Sequence, residues 1–265
     1  MNNKREVVKL IDTTLCTACR GCQVACKQWN EMPGLPTKQW GSYQNPPDLE
    51  WNTWTLIRFQ EHVNEKKEFK WLFRKDGCMH CTDAACVKVC PSGALHHTDF
   101  GTVGLNSSLC IGCKECVSAC PFDVPRYNRE TDRIYKCDLC YSRLRGGESP
   151  ACVKSCLTGA LDIGPKDKML KKAYAKVKQL GGDANVYGDK FVGGTHVIYV
   201  LDEKPKVYEK LPRNPSVPFT VTIWKDILKP LSLLAAGGVI GGSFVHYILH
   251  GPKLPDEPGQ EKGGE

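Results

Sequence analysis

The run Cys110-Ile-Gly-Cys113-Lys-Glu-Cys116-Val-Ser-Ala-Cys120-Pro121 constrains this chain more than any other stretch. Its spacing, C-x2-C-x2-C-x3-C-P, is one that wraps [4Fe–4S] clusters. Three thiolates on one tight loop hold three corners of a cubane. The fourth, one helical turn further on, points towards a second cluster. Pro121 prevents the chain from continuing as regular structure.

The chain has 265 residues and 16 cysteines, and every cysteine falls in one of four quartets. Cys16, Cys19, Cys22 and Cys26 follow C-x2-C-x2-C-x3-C. Cys78, Cys81, Cys86 and Cys90 follow C-x2-C-x4-C-x3-C-P, and Cys137, Cys140, Cys152 and Cys156 follow C-x2-C-x11-C-x3-C. At four thiolates per cluster, 16 cysteines make four clusters. A disulfide framework fits poorly, because C-x2-C pairs on one loop suit a metal better than a bridge to a distant partner. Four-cysteine zinc sites use C-x2-C pairs too, but they do not require a third cysteine after two residues and a fourth after three. A zinc-binding nucleic-acid protein is therefore the weaker reading.

The formal net charge is +7. The tail from Gly251 to Glu265 holds two lysines and four acidic residues, so the remainder carries +9. A basic balance can signal nucleic acid. No aromatic–basic RNA motif or recognition-helix pattern accompanies it, so no nucleic-acid partner is expected. A solvated surface and an acidic partner subunit account for the charge. No apolar signal-peptide core precedes Cys16.

Val7 to Ile11 reads as a strand leading into the first cysteine loop, and residues 20–29 as one or two helical turns. Residues 31–50, with four prolines, read as loop. Trp54 to Gln60 and Glu68 to Phe73 lie a hairpin's distance apart. Trp51, Trp54 and Trp71 read as strand side chains covering the modules. Thr102 to Leu105 and Thr195 to Leu201 read as strands. The long gap in the fourth quartet, with Gly146, Gly147 and Pro150, reads as loop. Lys166 to Leu180 is an amphipathic helix with Met169, Leu170, Ala173, Val177 and Leu180 on one face and Gly181 as its terminator. Its lysines form a solvated face. Residues 202–218, with four prolines, read as an extended linker.

Leu231 to Leu249 runs without a single Asp, Glu, Lys or Arg. At 1.5 Å per residue this is about 28 Å of helix, close to a bilayer core. Gly237/Gly241 and Gly238/Gly242 are small-xxx-small pairs that allow another helix to approach closely. The segment reads as one transmembrane anchor. His246 inside it reads as a packing or interfacial histidine, ahead of a haem ligand or quinone contact.

The expected fold class is α+β: two ferredoxin-like 4Fe-4S modules holding four clusters, with a C-terminal single transmembrane helix. Residues 1–205 form the four-cluster domain, with an insertion at 31–76. A linker follows at 206–226, the transmembrane helix at 227–250 and an acidic tail at 251–265. A cluster with four cysteine ligands has no open iron for a substrate, and no nucleophile–base arrangement, nucleotide loop or carboxylate pair supplies a catalytic centre. The chain reads as a carrier of electrons and not as an enzyme by itself. His80, between Cys78 and Cys81, reads as packing or hydrogen bonding beside a cluster, since its quartet is already full. His96 and His97 read as surface residues. Arg133 and Lys136 can raise a cluster potential through their charge.

The four quartets in this order, with Asp76-Gly-Cys-Met-His-Cys81, Cys110-Ile-Gly-Cys113, Cys120-Pro-Phe-Asp-Val-Pro-Arg126 and Pro150-Ala-Cys-Val-Lys-Ser-Cys156, resemble the iron–sulfur subunits of molybdopterin oxidoreductase complexes. The nearest resemblance is to the β subunit of respiratory, membrane-bound formate dehydrogenase. It extends through Trp224-Lys-Asp-Ile-Leu-Lys-Pro230 and a span closing with His246-Tyr247 and Gly251-Pro252. Leu157 departs from it, since a proline often follows the last cysteine there. The resemblance implies nested ligation. Cys16, Cys19, Cys22 and Cys156 then hold one cluster, and Cys26, Cys137, Cys140 and Cys152 the next. Cys78, Cys81, Cys86 and Cys120 hold a third, and Cys90, Cys110, Cys113 and Cys116 the fourth. Spacing alone does not choose this pairing. The resemblance also implies electron flow from a molybdenum- or tungsten-bis-pterin α subunit to a cytochrome b γ subunit that reduces quinone. A polysulfide or thiosulfate reductase complex is the alternative home, against which the formate-type span argues.

Two arguments about membrane orientation disagree. Arg213, Lys225 and Lys229 precede the span, against Lys253 and Lys262 after it, and that slight bias favours a cytoplasmic cluster domain. The resemblance implies export of a folded domain with a signal-bearing partner. The expectation is a periplasmic-facing cluster domain with a cytoplasmic C-terminus.

Overall fold

The computed structural model describes residues 6–34, 36–64 and 67–251; the tail residues 252–265 lie outside it. The chain divides into two units between Val221 and Thr222.

In the first unit, β1 (Val7–Asp12) is followed by α1 (Gly21–Trp29) and a long hairpin, β2 (Thr55–Val63) and β3 (Phe69–Gly77). Next come α2 (Ala85–Lys88), β4 (Leu95–His97), β5 (Val103–Leu105), α3 (Glu115–Ala119), β6 (Arg126–Asn128) and β7 (Arg133–Tyr135). The unit continues through α4 (Tyr141–Arg145), α5 (Ala151–Lys154), β8 (Leu161–Pro165), α6 (Lys166–Leu180), β9 (Asn185–Tyr187) and β10 (Val197–Leu201).

The main sheet has the order β8-β1-β10-β9. The N-terminal strand β1 lies inside it, antiparallel to β8 and parallel to β10. Strand alternation sends Val8, Leu10, Ile198 and Val200 to one face, where Met169 and Ala173 of α6 cover them. Each such fully buried aliphatic side chain stabilises the sheet by roughly 1.5–3 kcal/mol. Gly181 ends α6 at φ 64°, with its N–H on the Val177 carbonyl. Ile11, Val197, Tyr199 and Leu201 point to the opposite face, into a core that includes Cys22, Cys152 and Leu139. The sheet thus forms a back wall for the cysteine loops. The loop at Met79 and His80 docks on the start of β10: the His196 N–H reaches the His80 carbonyl at 3.0 Å and the Val197 N–H the Met79 carbonyl at 3.2 Å.

Two sequence expectations change. The gap in the fourth quartet is not all loop: α4 occupies its first part, because Tyr141–Arg145 contains no helix breaker before Gly146. The proline-rich stretch after β10 is extended but is not a free linker. Tyr208 and Leu211 are buried, Tyr187 donates to the Pro212 carbonyl at 2.5 Å, and the Glu209 N–H donates to Gln60 Oε1 at 2.7 Å. Proline removes ladder donors but leaves the neighbouring apolar side chains free to pack. The first compact unit accordingly runs on to Val221.

After the short α7 (Phe219–Ile223), which spans the division, a π-helical turn, Trp224–Leu228, leads into α8 (Lys229–His250) in the second unit. Lys229–His250 is long and apolar enough to cross a membrane, about 33 Å at 1.5 Å per residue. His246 and His250 stack one turn apart on it, ring centroids 4.8 Å apart.

Candidate iron–sulfur centres

Each C-x2-C loop turns on a left-handed residue just before its second cysteine: Ala18 (φ 55°), His80 (φ 50°), Gly112 (φ 68°) and Leu139 (φ 61°). Such reversals point successive backbone N–H groups into a concavity that suits an anion. Quartets one and three share more. A 3-10 turn precedes each, capped by Asp12 on the Thr14 N–H and by Asn106 on the Ser108 N–H. A second left-handed residue, Arg20 or Lys114, then launches α1 or α3. Quartets two and four share the helix Ala-Cys-Val-Lys, at Ala85–Lys88 and Ala151–Lys154. The unit is therefore one design used twice.

All sixteen cysteines are free thiols. Cys16, Cys19, Cys22 and Cys156 line one cavity, walled by Ile11, Ile57 and Leu161 and by Lys75. Cys90, Cys110, Cys113 and Cys116 line another, beside Leu95 and Ile134. Cys26 is raised by burial and then by the neighbouring Cys137, Cys152 and Cys140. Cys81 is raised by burial and then by Cys78, Cys120 and Cys86. The thiols thus gather in four groups of four, and three of every four come from one quartet. The groups stand in a row. Cys22 feels Cys152, Cys137 feels Cys78, and Cys86 feels Cys116. Solvent reaches the ends: Cys19 and Cys113 are exposed, whereas Cys26, Cys137, Cys140 and Cys152 are buried.

The donor chemistry suits clusters. Burial is the first cause that pushes Cys22 up to about 11, and Cys116 and Cys140 up to about 12. Such groups hold neutral thiols until positive charge arrives with the metal. Among the described residues no three His, Cys, Asp or Glu side chains converge tightly enough to hold a single ion. A mononuclear zinc site needs four sulfurs about 2.3 Å from one centre. Sulfurs spread round a cavity suit a larger inorganic body.

His80 is fully buried, and its Nδ1 accepts the Val103 N–H at 3.1 Å. That bond places the ring proton on Nε2, which has no protein partner. Burial and then Lys136 and Lys9 keep the ring neutral. His96 and His97 are exposed on β4. Arg133 is half-buried on β7, whereas Lys136 is buried, with its Nζ 2.6 Å from the Val103 carbonyl and 2.9 Å from the Cys137 carbonyl. Trp71 packs on Tyr43 and Phe73, and Trp51 on Tyr135. Sequence reasoning missed Lys9 and Lys75, both buried among the thiols. The available signal was a lysine at an inward position of each strand.

Two copies of one ferredoxin-like design, with sixteen thiols in a row of groups, define a multicluster iron–sulfur electron-transfer protein. Family models for a 4Fe-4S dicluster domain match residues 15–94 and 69–166, and a model for "Formate dehydrogenase N, transmembrane" matches residues 217–258. The chain is 46% identical over 261 residues to the formate dehydrogenase-O iron-sulfur subunit of Escherichia coli, covering 96% of this chain and 87% of that one. It is 44% identical over 264 residues to the formate dehydrogenase iron-sulfur subunit of Haemophilus influenzae, covering 97% and 84%. A third relative, formate dehydrogenase 2 subunit beta (cytochrome c-553) of Nitratidesulfovibrio vulgaris, is 41% identical over 212 residues, covering 76% and 95%. The chain belongs to the formate dehydrogenase iron–sulfur subunit family. It carries four [4Fe–4S] clusters and is an electron-transfer subunit, with a catalytic subunit as partner in a membrane-associated assembly.

Proposed function

We propose that this chain is the electron wire between a molybdenum- or tungsten-bis-pterin subunit that oxidises formate and a membrane cytochrome b that reduces quinone. When bound, each [4Fe–4S] cluster supplies one-electron redox chemistry with no open coordination site. The ligand sets are Cys16, Cys19, Cys22 and Cys156; Cys26, Cys137, Cys140 and Cys152; Cys78, Cys81, Cys86 and Cys120; and Cys90, Cys110, Cys113 and Cys116. The observation that carries this reading is the row of four thiol groups, whose exposed cysteines, Cys19 and Cys113, belong to the two end groups. Cys26, Cys137, Cys140 and Cys152 are all buried, so water is kept from the second group. The ends carry apolar rims that suit partner subunits: Leu157 is 91% exposed beside Cys156, and Ile111 is 62% exposed beside Cys110. The helix Lys229–His250 anchors the chain, with the cluster domain on the periplasmic side and the C-terminus in the cytoplasm.

Iron and sulfide analysis of the anaerobically purified complex tests the wire. About 16 iron atoms per chain are expected; about 12, or stoichiometric zinc, refutes it. The complex should oxidise formate and reduce quinone, and the separated chain should do neither. For orientation, protease added to intact spheroplasts should spare a tag placed after Glu265. Cleavage of that tag there rejects the proposed topology.

A further inference from the structure

Lys75 is 4% exposed on β3. Strand alternation separates it from its neighbours. Arg74 and Asp76 point the other way and pair with each other at 3.1 Å. Among the described residues no carboxylate comes within ion-pair distance of Lys75 Nζ, which donates to the Thr55 hydroxyl. A buried ammonium without a counter-ion costs several kcal/mol. Its surroundings show what offsets that cost. Lys75 lines the cavity of Cys16, Cys19, Cys22 and Cys156. Its charge also acts on Cys152, Cys137 and Cys26 of the neighbouring group.

We propose that Lys75 is the fixed counter-charge shared by the first two clusters of the row, and that it raises the reduction potential of both. Adding an electron makes a cluster more negative, and a cation fixed nearby in low dielectric favours that reduced state. The other two clusters, held by Cys78, Cys81, Cys86, Cys120 and by Cys90, Cys110, Cys113, Cys116, lie further along the row. The inference rests on the ligand sets proposed above.

Redox titration followed by electron paramagnetic resonance, on anaerobically purified complex, compares wild type with Lys75→Met and Lys75→Arg. A wild-type iron content far from about 16 per chain overturns the ligand sets themselves. With iron at that level, Lys75→Met should lower two of the four couples at least tenfold in the reduction equilibrium, about 59 mV for a one-electron couple. Lys75→Arg should leave all four within a few-fold of wild type. No shift, a shift of one couple only, or an equal shift of all four overturns the inference. Lys75→Gln serves as a second neutral variant. If both neutral variants lose iron while Lys75→Arg keeps it, the groups require the charge and the inference stands. If Lys75→Arg loses iron as well, Lys75 is a packing residue and the inference falls.

Discussion

Asp76→Asn should loosen the hairpin that leads into Cys78. The Asp76 carboxylate accepts Arg58 Nε at 2.5 Å, Arg74 Nη1 at 3.1 Å and the Gly77 N–H at 3.0 Å. Both arginines are 3% exposed. Arg58 has a second carboxylate, Asp48, 2.7 Å from its Nη2, so it stays paired in the variant. Arg74 has no second carboxylate among the described residues: it keeps the Glu209 carbonyl at 2.9 Å and the Tyr199 side chain, and its Nε already lacks a partner. The variant therefore strands one buried guanidinium. Removing one partner of a buried pair costs about 3–5 kcal/mol. At about 1.36 kcal/mol per decade this is a factor of roughly 100 to 5,000 in a local opening equilibrium. Hydrogen exchange on the cluster-loaded complex reads it directly, as lost protection of the β2–β3 amides. Asp48→Asn should cost less, because Arg58 retains Asp76. A loss of protection under tenfold in Asp76→Asn, or a larger loss in Asp48→Asn, refutes the reasoning.

Gly112→Ala should lose about four of the iron atoms. A Cβ there would sit 2.6 Å from the Asp132 carbonyl oxygen, at φ 68°, between two cysteines of the last group; full iron content would refute this. Leu157→Lys places a charge on the rim beside Cys156 and should weaken retention of the catalytic subunit during purification, while the iron content of the chain stays unchanged. Removing iron should melt much of residues 1–200, because burial keeps these thiol groups together only with their metal. Unchanged circular dichroism after chelation would count against that.

Much of this was legible in the sequence because the chemistry is local. A C-x2-C loop carries its own geometry, so each quartet announces itself. The periodicity of Lys166 to Leu180 gave the helix to the residue, and the apolar run from Leu231 sits within Lys229–His250. What sequence hid is long-range. Nothing in Val7-Val8-Lys9-Leu10-Ile11 says that its strand pairs with residues 161–165 and 197–200. Lysine at an inward strand position reads as an exposed residue until the thiols opposite it are known, so Lys9 and Lys75 escaped notice. Prolines near Tyr208 and Leu211 signalled an extended linker, because backbone propensity does not report what the intervening apolar side chains will touch. The nested ligation proposed above is equally invisible to spacing. Cys26 meets Cys137 only because the fold carries α1 back against the fourth quartet.

The interior position of β1 has a consequence for how the protein is made. Its two sheet neighbours are translated late, and nearly the whole cluster domain lies between Asp12 and Leu201 in the sequence. At about 5–20 residues per second, the N-terminal strand waits roughly 10–40 s for its partners. Throughout that interval the first cysteine loop is tethered to the ribosome without its wall. Only the short stretch 202–228 then separates Leu201 from Lys229, where the membrane helix begins. Sheet closure and emergence of the anchor thus fall almost together. Lengthening residues 202–228 would widen the interval between sheet closure and emergence of the membrane helix.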